Sequence, residues 1–500
     1  MNALKLEDGT AIRAPHHAEC DFVVVGSGPA GAAAARVLAR GGARVIVVEE
    51  GPYVPPEHFP EDAFGAMALM YREMGASVLM GRVPMPYIQG RVVGGTSVIN
   101  GSISWRLPRS VYDGWVAGDA ALADAVPWTA LEAVTDEVER DLNIAPTADD
   151  IAGPKNLLMH RGAEALGLEH RPISRNVRGC RGLGRCLQGC PEGHKLSMER
   201  SYLVDASAAG AVILHSVTVT GVDVAGERAT GITGKSAGGA TVQIRAKRGV
   251  VLAASAVQTP ALLQRSGIRH GPVGQGFQCH PGASVTGFWK EPVCMWTGAT
   301  QGHEVIGLRQ EGLKFEVLGF DLAMVASRIK GVGSAFSAGL ERMAHAVNWG
   351  VAVRAAARGR VKPGWGGRAS VTMDLHRDDV AKVRRGVRIM GEMMLAAGAQ
   401  KVTPGVHGWH AEVADRAVMA RFEEEGPLDG RAYPMAVTHM FGTCRMGADR
   451  ARSVVDLRGA HHHVAALHVV DSSVFPSNTG VNPQTSILAL STLLARGMAG

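Results

Sequence analysis

The chain lacks any run of 18 apolar residues, the length a membrane-crossing helix needs. Its best candidate, Ala344 to Ala357, is interrupted by Asn348 and Arg354, so no integral membrane segment is expected. The first residues, Met1 to Pro15, carry Lys5, Glu7, Asp8 and Arg13 with neither an apolar core nor an arginine pair. No export signal is read there, and the expected location is cytoplasmic. Aromatics are scarce, six Tyr and eleven Phe, and the basic residues are scattered under a net charge of only +6, so nucleic acid is not an expected partner. Internal repeats and low-complexity linkers are also missing, which argues against solenoids and strings of tethered modules. What remains, 46% apolar and 20% charged residues over 500 positions, is globular and too long for one simple core.

Glycine is plentiful, and its placement is informative. Residues 21–50 read DFVVVGSGPAGAAAARVLARGGARVIVVEE. An apolar run, Phe22 to Val25, feeds Gly26, Gly28 and Gly31; a helix-compatible segment follows to about Arg40; a second apolar run, Val45 to Val48, ends on Glu49 and Glu50. In a strand–turn–helix–strand unit of this kind Gly26 permits the tight turn, Gly28 lets backbone approach a pyrophosphate, and Gly31 lets helix pack on strand. The helix N-terminus offers free N–H groups to the phosphates. Glu49, at the end of the second strand, is placed to accept from a ribose 2′-hydroxyl and would repel a 2′-phosphate.

Further along, Tyr53 to Gly90 reads as loop with a short helix, and Thr129 to Leu142 as a helix with Leu131, Val134 and Val138 on one face. Val212 to Val222 and Gly231 to Ile244 alternate apolar and polar residues and predict antiparallel strands joined at Gly226; Val250 to Ala254 predicts a buried strand. From about Gly271 to Pro434 the pattern changes to longer mixed segments, the expected second domain.

Three later segments carry a resemblance. GRVVGGTSVINGSISWR, Gly90 to Arg106, contains Arg91, the Gly94-Gly95 pair, Ser97 and Asn100; SAVQTPALLQRSGI, Ser255 to Ile268, follows the buried strand; THMFGTCRMG and VVDSSVFPSNTGVNPQTSI lie near the end of the chain. The sequence is similar to the glucose–methanol–choline (GMC) oxidoreductases in all of these. That resemblance implies an α/β fold, a Rossmann-like FAD-binding domain with a second α+β substrate domain on an antiparallel sheet. It implies FAD held by Gly26, Gly28, Gly31, Glu49, Arg91, Gly94, Gly95, Ser97, Asn100, Val219, Asp471 and Pro483. The expected division is 15–110, 195–270 and 435–500 for the discontinuous FAD domain, and 111–194 and 271–434 for the substrate or cap domain. Members with covalently bound flavin often carry His where this chain has Ile99, so FAD is expected to be non-covalent. The final helix, Ser486 to Ala495, is expected to turn its positive end to the flavin.

By the same resemblance the catalytic pair maps onto His439 and Asn482. The chemistry suits these residue types. Oxidising an alcohol removes a hydroxyl proton while a hydride leaves the same carbon, so the site needs a base near neutral pKa, for which histidine is apt, and an electron sink. Asn482 can orient the hydroxyl and stabilise developing alkoxide charge without titrating. Asn at the second position recurs in cholesterol oxidases and several alcohol oxidases, which implies a hydrophobic or bulky alcohol. The expected reaction is FAD-dependent oxidation of an alcohol to a carbonyl, with O2 or a soluble or respiratory electron acceptor completing the cycle. A lyase or decarboxylase on the same fold, and a silent FAD-binding subunit, are the alternatives.

Cys180, Cys186 and Cys190 fall within GCRGLGRCLQGC. Similar spacing in some sugar dehydrogenases of the family holds a three-iron cluster, which would relay electrons outward. Structural thiols or a disulfide are the larger share of the expectation, and zinc with His194 a lesser one. Met295, Trp296, Phe315, Phe320, Met324, Phe336 and Trp349 are expected near the flavin face, more as core than as pocket.

Overall fold

A computed structural model describes residues 3–327 and 332–499. Two sheets organise the chain. The first has eight strands in the order Leu6–Asp8, Val212–His215, Val45–Val48, His16–Val25, Thr241–Leu252, Arg228–Ser236 and Val217–Ala225, with Leu467–Val469 also on Thr241–Leu252. The valine-rich runs at its centre are buried on both faces, as parallel strands covered by helices must be. The helix Pro29–Arg40 turns its alanines onto this sheet, and the terminal helix Gln484–Ala499 packs beside it.

The stretch from Val212 to Ile244 departs from its two expected strands. The turn at Gly226 is present, between Val217–Ala225 and Arg228–Ser236, but a second turn over 237–240 divides Gly231 to Ile244. Thr241–Leu252 then runs on without a break. It pairs antiparallel with Arg228–Ser236 over its first half and parallel with Leu467–Val469 at its end, so one strand serves a hairpin and the buried centre in turn.

The second sheet has eleven strands around the long central strand Gln275–Phe288. All its pairings are antiparallel except Val78–Met80 with Ala369–Thr372. The helix Arg377–Ala396 covers one face with Val380, Val383, Val387 and Met390 in a core shared with Phe277, Val285, Trp349 and Val351. The helices over 109–141, expected with the second unit, instead bury Val111, Trp115, Leu131, Val134 and Val138 in the core of the first sheet.

Candidate functional site

The two sheets meet at a cavity of about 930 Å³. One end is built from glycine loops. Gly31 sits one helical turn above the first turn of the motif, where a Cβ would lie 1.9 Å from the Gly26 carbonyl oxygen; only hydrogen lets the helix come this close. Gly95, at φ +58°, would place a Cβ 2.7 Å from Gly28 Cα, so the two loops face each other with bare backbone. Ser27 stitches them, its hydroxyl donating to Glu49 Oε2 (2.6 Å) and accepting from the Gly94 amide (3.0 Å). Glu49 also accepts from the amides of Ser27 and Gly51, and burial raises its pKa despite those bonds.

The expected cofactor residues divide. Gly26, Gly28, Glu49, Gly95, Ser97, Asn100, Val219, Asp471 and Pro483 line the cavity. Gly31 and Gly94 shape it from behind. Arg91 does not reach it: its guanidinium bonds to Glu50, which Arg72 also engages. The Asp471 carboxylate is taken up by protein donors, the amides of Ser255 (2.9 Å) and Ser473 (2.8 Å) and the hydroxyl of Thr259 (2.5 Å). Its service is to hold Ser255, whose φ of +90° is left-handed backbone that a serine adopts only when its surroundings over-determine it.

The residues present fit FAD. Besides the facing glycine loops, the cavity reaches the start of the terminal helix, which begins at Gln484 rather than Ser486, and there Gln484 Nε2 is a buried donor without a partner. A Gly31→Ala variant is expected to purify with far less bound flavin, because about 1–3 kcal/mol of overpacking falls on the helix that forms the phosphate end. The ratio of flavin to protein absorbance measures it.

The other end of the cavity carries the polar chemistry. His439, on the strand Ala436–Phe441, and Asn482 come together with Asn482 Nδ2 3.4 Å from His439 Nε2. Lys314 donates to Asn482 Oδ1 (2.6 Å) and so turns the amide nitrogen toward His439. Lys314 itself is buried between Glu316 (2.7 Å) and Glu304 (3.1 Å). Those two carboxylates stand directly opposite each other across neighbouring strands, a repulsive pairing unless a cation bridges them. Lys314, two residues from Glu316 on the same strand, is that cation. Burial works to lower its pKa, and Glu316 and Glu304 more than offset this, so the ammonium stays charged. Burial would raise Glu316, yet Lys314 brings it below the usual carboxylate range. Arg171 and the indole N–H of Trp105 complete the bonds to Glu304.

His280, on the central strand, faces His439 with their Nδ1 atoms 3.2 Å apart. The Gly480 amide donates to His280 Nε2 (3.0 Å), so neutral His280 carries its proton on Nδ1 and directs it at His439. His439 at rest then holds its own proton on Nε2, where the 3.4 Å approach of Asn482 Nδ2 sets two donors side by side rather than a hydrogen bond. The expected near-neutral base is not what the structure builds: burial foremost pushes His439 down to about 4, Lys314 adds to that, and Glu316 opposes it. Lys314, Glu304, Glu316 and His280 were missed in the sequence, where a lysine or glutamate in a strand reads as solvent-facing.

Of the aromatic and methionine candidates, Phe320 and Met324 line the cavity, Met295, Phe315 and Trp349 are buried core, and Phe336 is exposed. Cys180, Cys186 and Cys190 are free thiols around a small separate pocket with His194. Among the described residues they are not a set that converges on a single ion.

Comparison with known proteins accounts for this arrangement. The N-terminal GMC oxidoreductase family model matches residues 21–282 and the C-terminal one residues 357–491. The chain belongs to the GMC oxidoreductases. An uncharacterised GMC-type oxidoreductase of Mycobacterium tuberculosis is 33% identical over 491 residues, covering 96% of this chain and 76% of the relative. A long-chain-alcohol oxidase of Arabidopsis thaliana is 27% identical, covering 96% and 68%. Among solved structures, pyridoxine 4-oxidase from Mesorbium loti superposes with a TM-score of 0.71 at 19% identity, covering 96% of this chain and 99% of that one. An Aspergillus oryzae formate oxidase gives 0.75 at 17%, covering 96% and 98%. This GMC protein is thus an FAD-dependent oxidoreductase of mixed α/β fold.

Proposed function

We propose that the protein oxidises a hydrophobic primary or secondary alcohol to a carbonyl, with His439 and Asn482 handling the hydroxyl. The observation that carries this is the meeting of His439 and Asn482 on the wall of the same cavity that the glycine loops open. Apolar residues lining the same cavity, Leu318, Phe320, Met324 and Met440, and the likeness to long-chain-alcohol oxidases support an apolar substrate.

FAD would be held by the glycine loops, Glu49, Ser97, Asn100 and the start of the terminal helix, with no covalent bond at Ile99, which offers no nucleophile. When bound it supplies the hydride acceptor that no side chain can provide. Asn482, its carbonyl pinned by Lys314, presents N–H to the substrate oxygen. His439 takes the hydroxyl proton on Nε2 only as its Nδ1–H tautomer, which moves the His280 proton from Nδ1 to Nε2 and breaks the bond from the Gly480 amide. A second reading follows from that requirement: His439 donates to the substrate oxygen while the ionised Glu316, on the same wall, receives the proton. The partner that would complete the cycle is O2 or a soluble or respiratory electron acceptor.

Anaerobic mixing with a panel of alcohols, following loss of flavin absorbance, tests the function. Bleaching by alkyl alcohols is the expected result; an oxidised flavin throughout the panel would favour a silent or lyase role. Both proton acceptors sit at depressed pKa values and accept only when deprotonated. Bleaching is therefore expected to be level from neutral pH to about one unit above the His439 value of about 4, and to fall below it. A fall centred near 6.5 would show that His439 titrates as an ordinary histidine in the working enzyme.

A further inference from the structure

We propose that His160, His170 and His303 form a binding site for one divalent transition-metal ion of the zinc type, separate from the catalytic cavity. They come from three elements: the helix Pro154–Ala165, the edge strand His170–Pro172 and its neighbour His303–Val305. One ring nitrogen of each lies within 4.8 Å of the others, and they are the one such group among the described residues. His170 Nδ1 and His303 Nε2 are 2.9 Å apart. The ring centroids form a near-regular triangle of 4.8, 5.1 and 5.3 Å, with His160 edge-on to both partners.

Three imidazoles are an unusual group to gather unless something holds their lone pairs. As cations they would repel, and as neutral rings they can share hydrogen bonds only pairwise. A zinc ion bound by imidazole nitrogens at about 2.0–2.1 Å needs those nitrogens about 3.3 Å apart in a tetrahedral set. The observed spacings bracket that value, and His160, the half-exposed member, has room to close in. Glu164, one turn along the helix, sets its carboxylate 3.3 Å from His160 Nε2 and adds negative charge beside the group. The fourth position is left to this carboxylate or to water.

Such an ion would clamp the helix to the sheet margin, where His170–Pro172 pairs with His303–Val305 alone. His303 and Glu304 are adjacent in an extended strand and project to opposite faces. One face would carry the metal, the other the Glu304–Lys314–Asn482 chain.

The test uses untagged flavin-loaded protein, stripped with a chelator and titrated with Zn2+ or Co2+. The wild type is expected to take up one ion per chain, to show Co2+ bands to the red of the flavin, and to unfold at a higher temperature when loaded. His160→Gln and His170→Gln, both at partly exposed positions, are expected to lose the uptake and the thermal gain while keeping their flavin. No stoichiometric uptake by the wild type would overturn the proposal. So would uptake that survives in both variants, which would place the ion elsewhere, as among His270, His461 and His463. Alcohol oxidation is not the readout, so the outcome is independent of the catalytic assignment.

Discussion

Lys314→Met is expected to lower stability by about 3–5 kcal/mol, the range for removing one partner of a buried ion pair. The methionine fills much of the space, so the loss is electrostatic. Glu304 and Glu316 are left facing each other across two strands, with no cation between them. The pH dependence separates this from a packing defect. In the native chain the depressed Glu316 contributes stability that is present above its unfolded pKa and lost as pH falls through the folded value. In the variant, buried Glu316 has lost the cation that holds its pKa down, so its penalty shrinks as pH falls and grows as it rises. Urea unfolding at several pH values should show the gap between the two proteins narrowing toward acid. A constant gap would indicate lost packing alone. The variant should also bleach poorly with alcohol, because Asn482 loses the donor that orients its amide.

His439→Ala is expected to remain yellow and to lose about 10²–10⁴ in the rate of alcohol-driven flavin reduction, the usual contribution of a positioned acid or base. Flavin is retained because His439 stands at the polar end of the cavity, away from the glycine loops. Glu316→Gln, near in shape, is the companion: under the first reading it costs much less, and under the second as much as the histidine change. Undiminished bleaching in His439→Ala would remove that residue from the chemistry.

How much of this was legible beforehand depended on periodicity. The strand, glycine turn, helix and second strand around Gly26 to Val48 were readable because backbone sterics and hydrophobic alternation leave a local trace. The paired arrival of His439 and Asn482 was readable only through family likeness, since 43 residues separate them and no local pattern joins them. Lys314 left no trace: its partners are set by strand register, and register between distant segments is not written in either one. The helices from Arg109 to Asp141 were misplaced for a related reason, since an apolar stripe shows that a face is buried but not against which sheet. Gly231 to Ile244 was read as one strand because its second turn lacks proline and is flanked by alternating residues on both sides.

The short strand Leu467–Val469 closes the first sheet against a strand made more than two hundred residues earlier. During synthesis, everything up to Val464 can leave the ribosome while that edge of Val250 to Leu252 is still uncovered. The nascent chain therefore exposes an apolar margin, with the cofactor cleft unfinished, from the making of Leu252 until that of Leu467. Flavin retention is therefore expected only of chains that extend through Leu467–Val469 and the helix Gln484–Ala499.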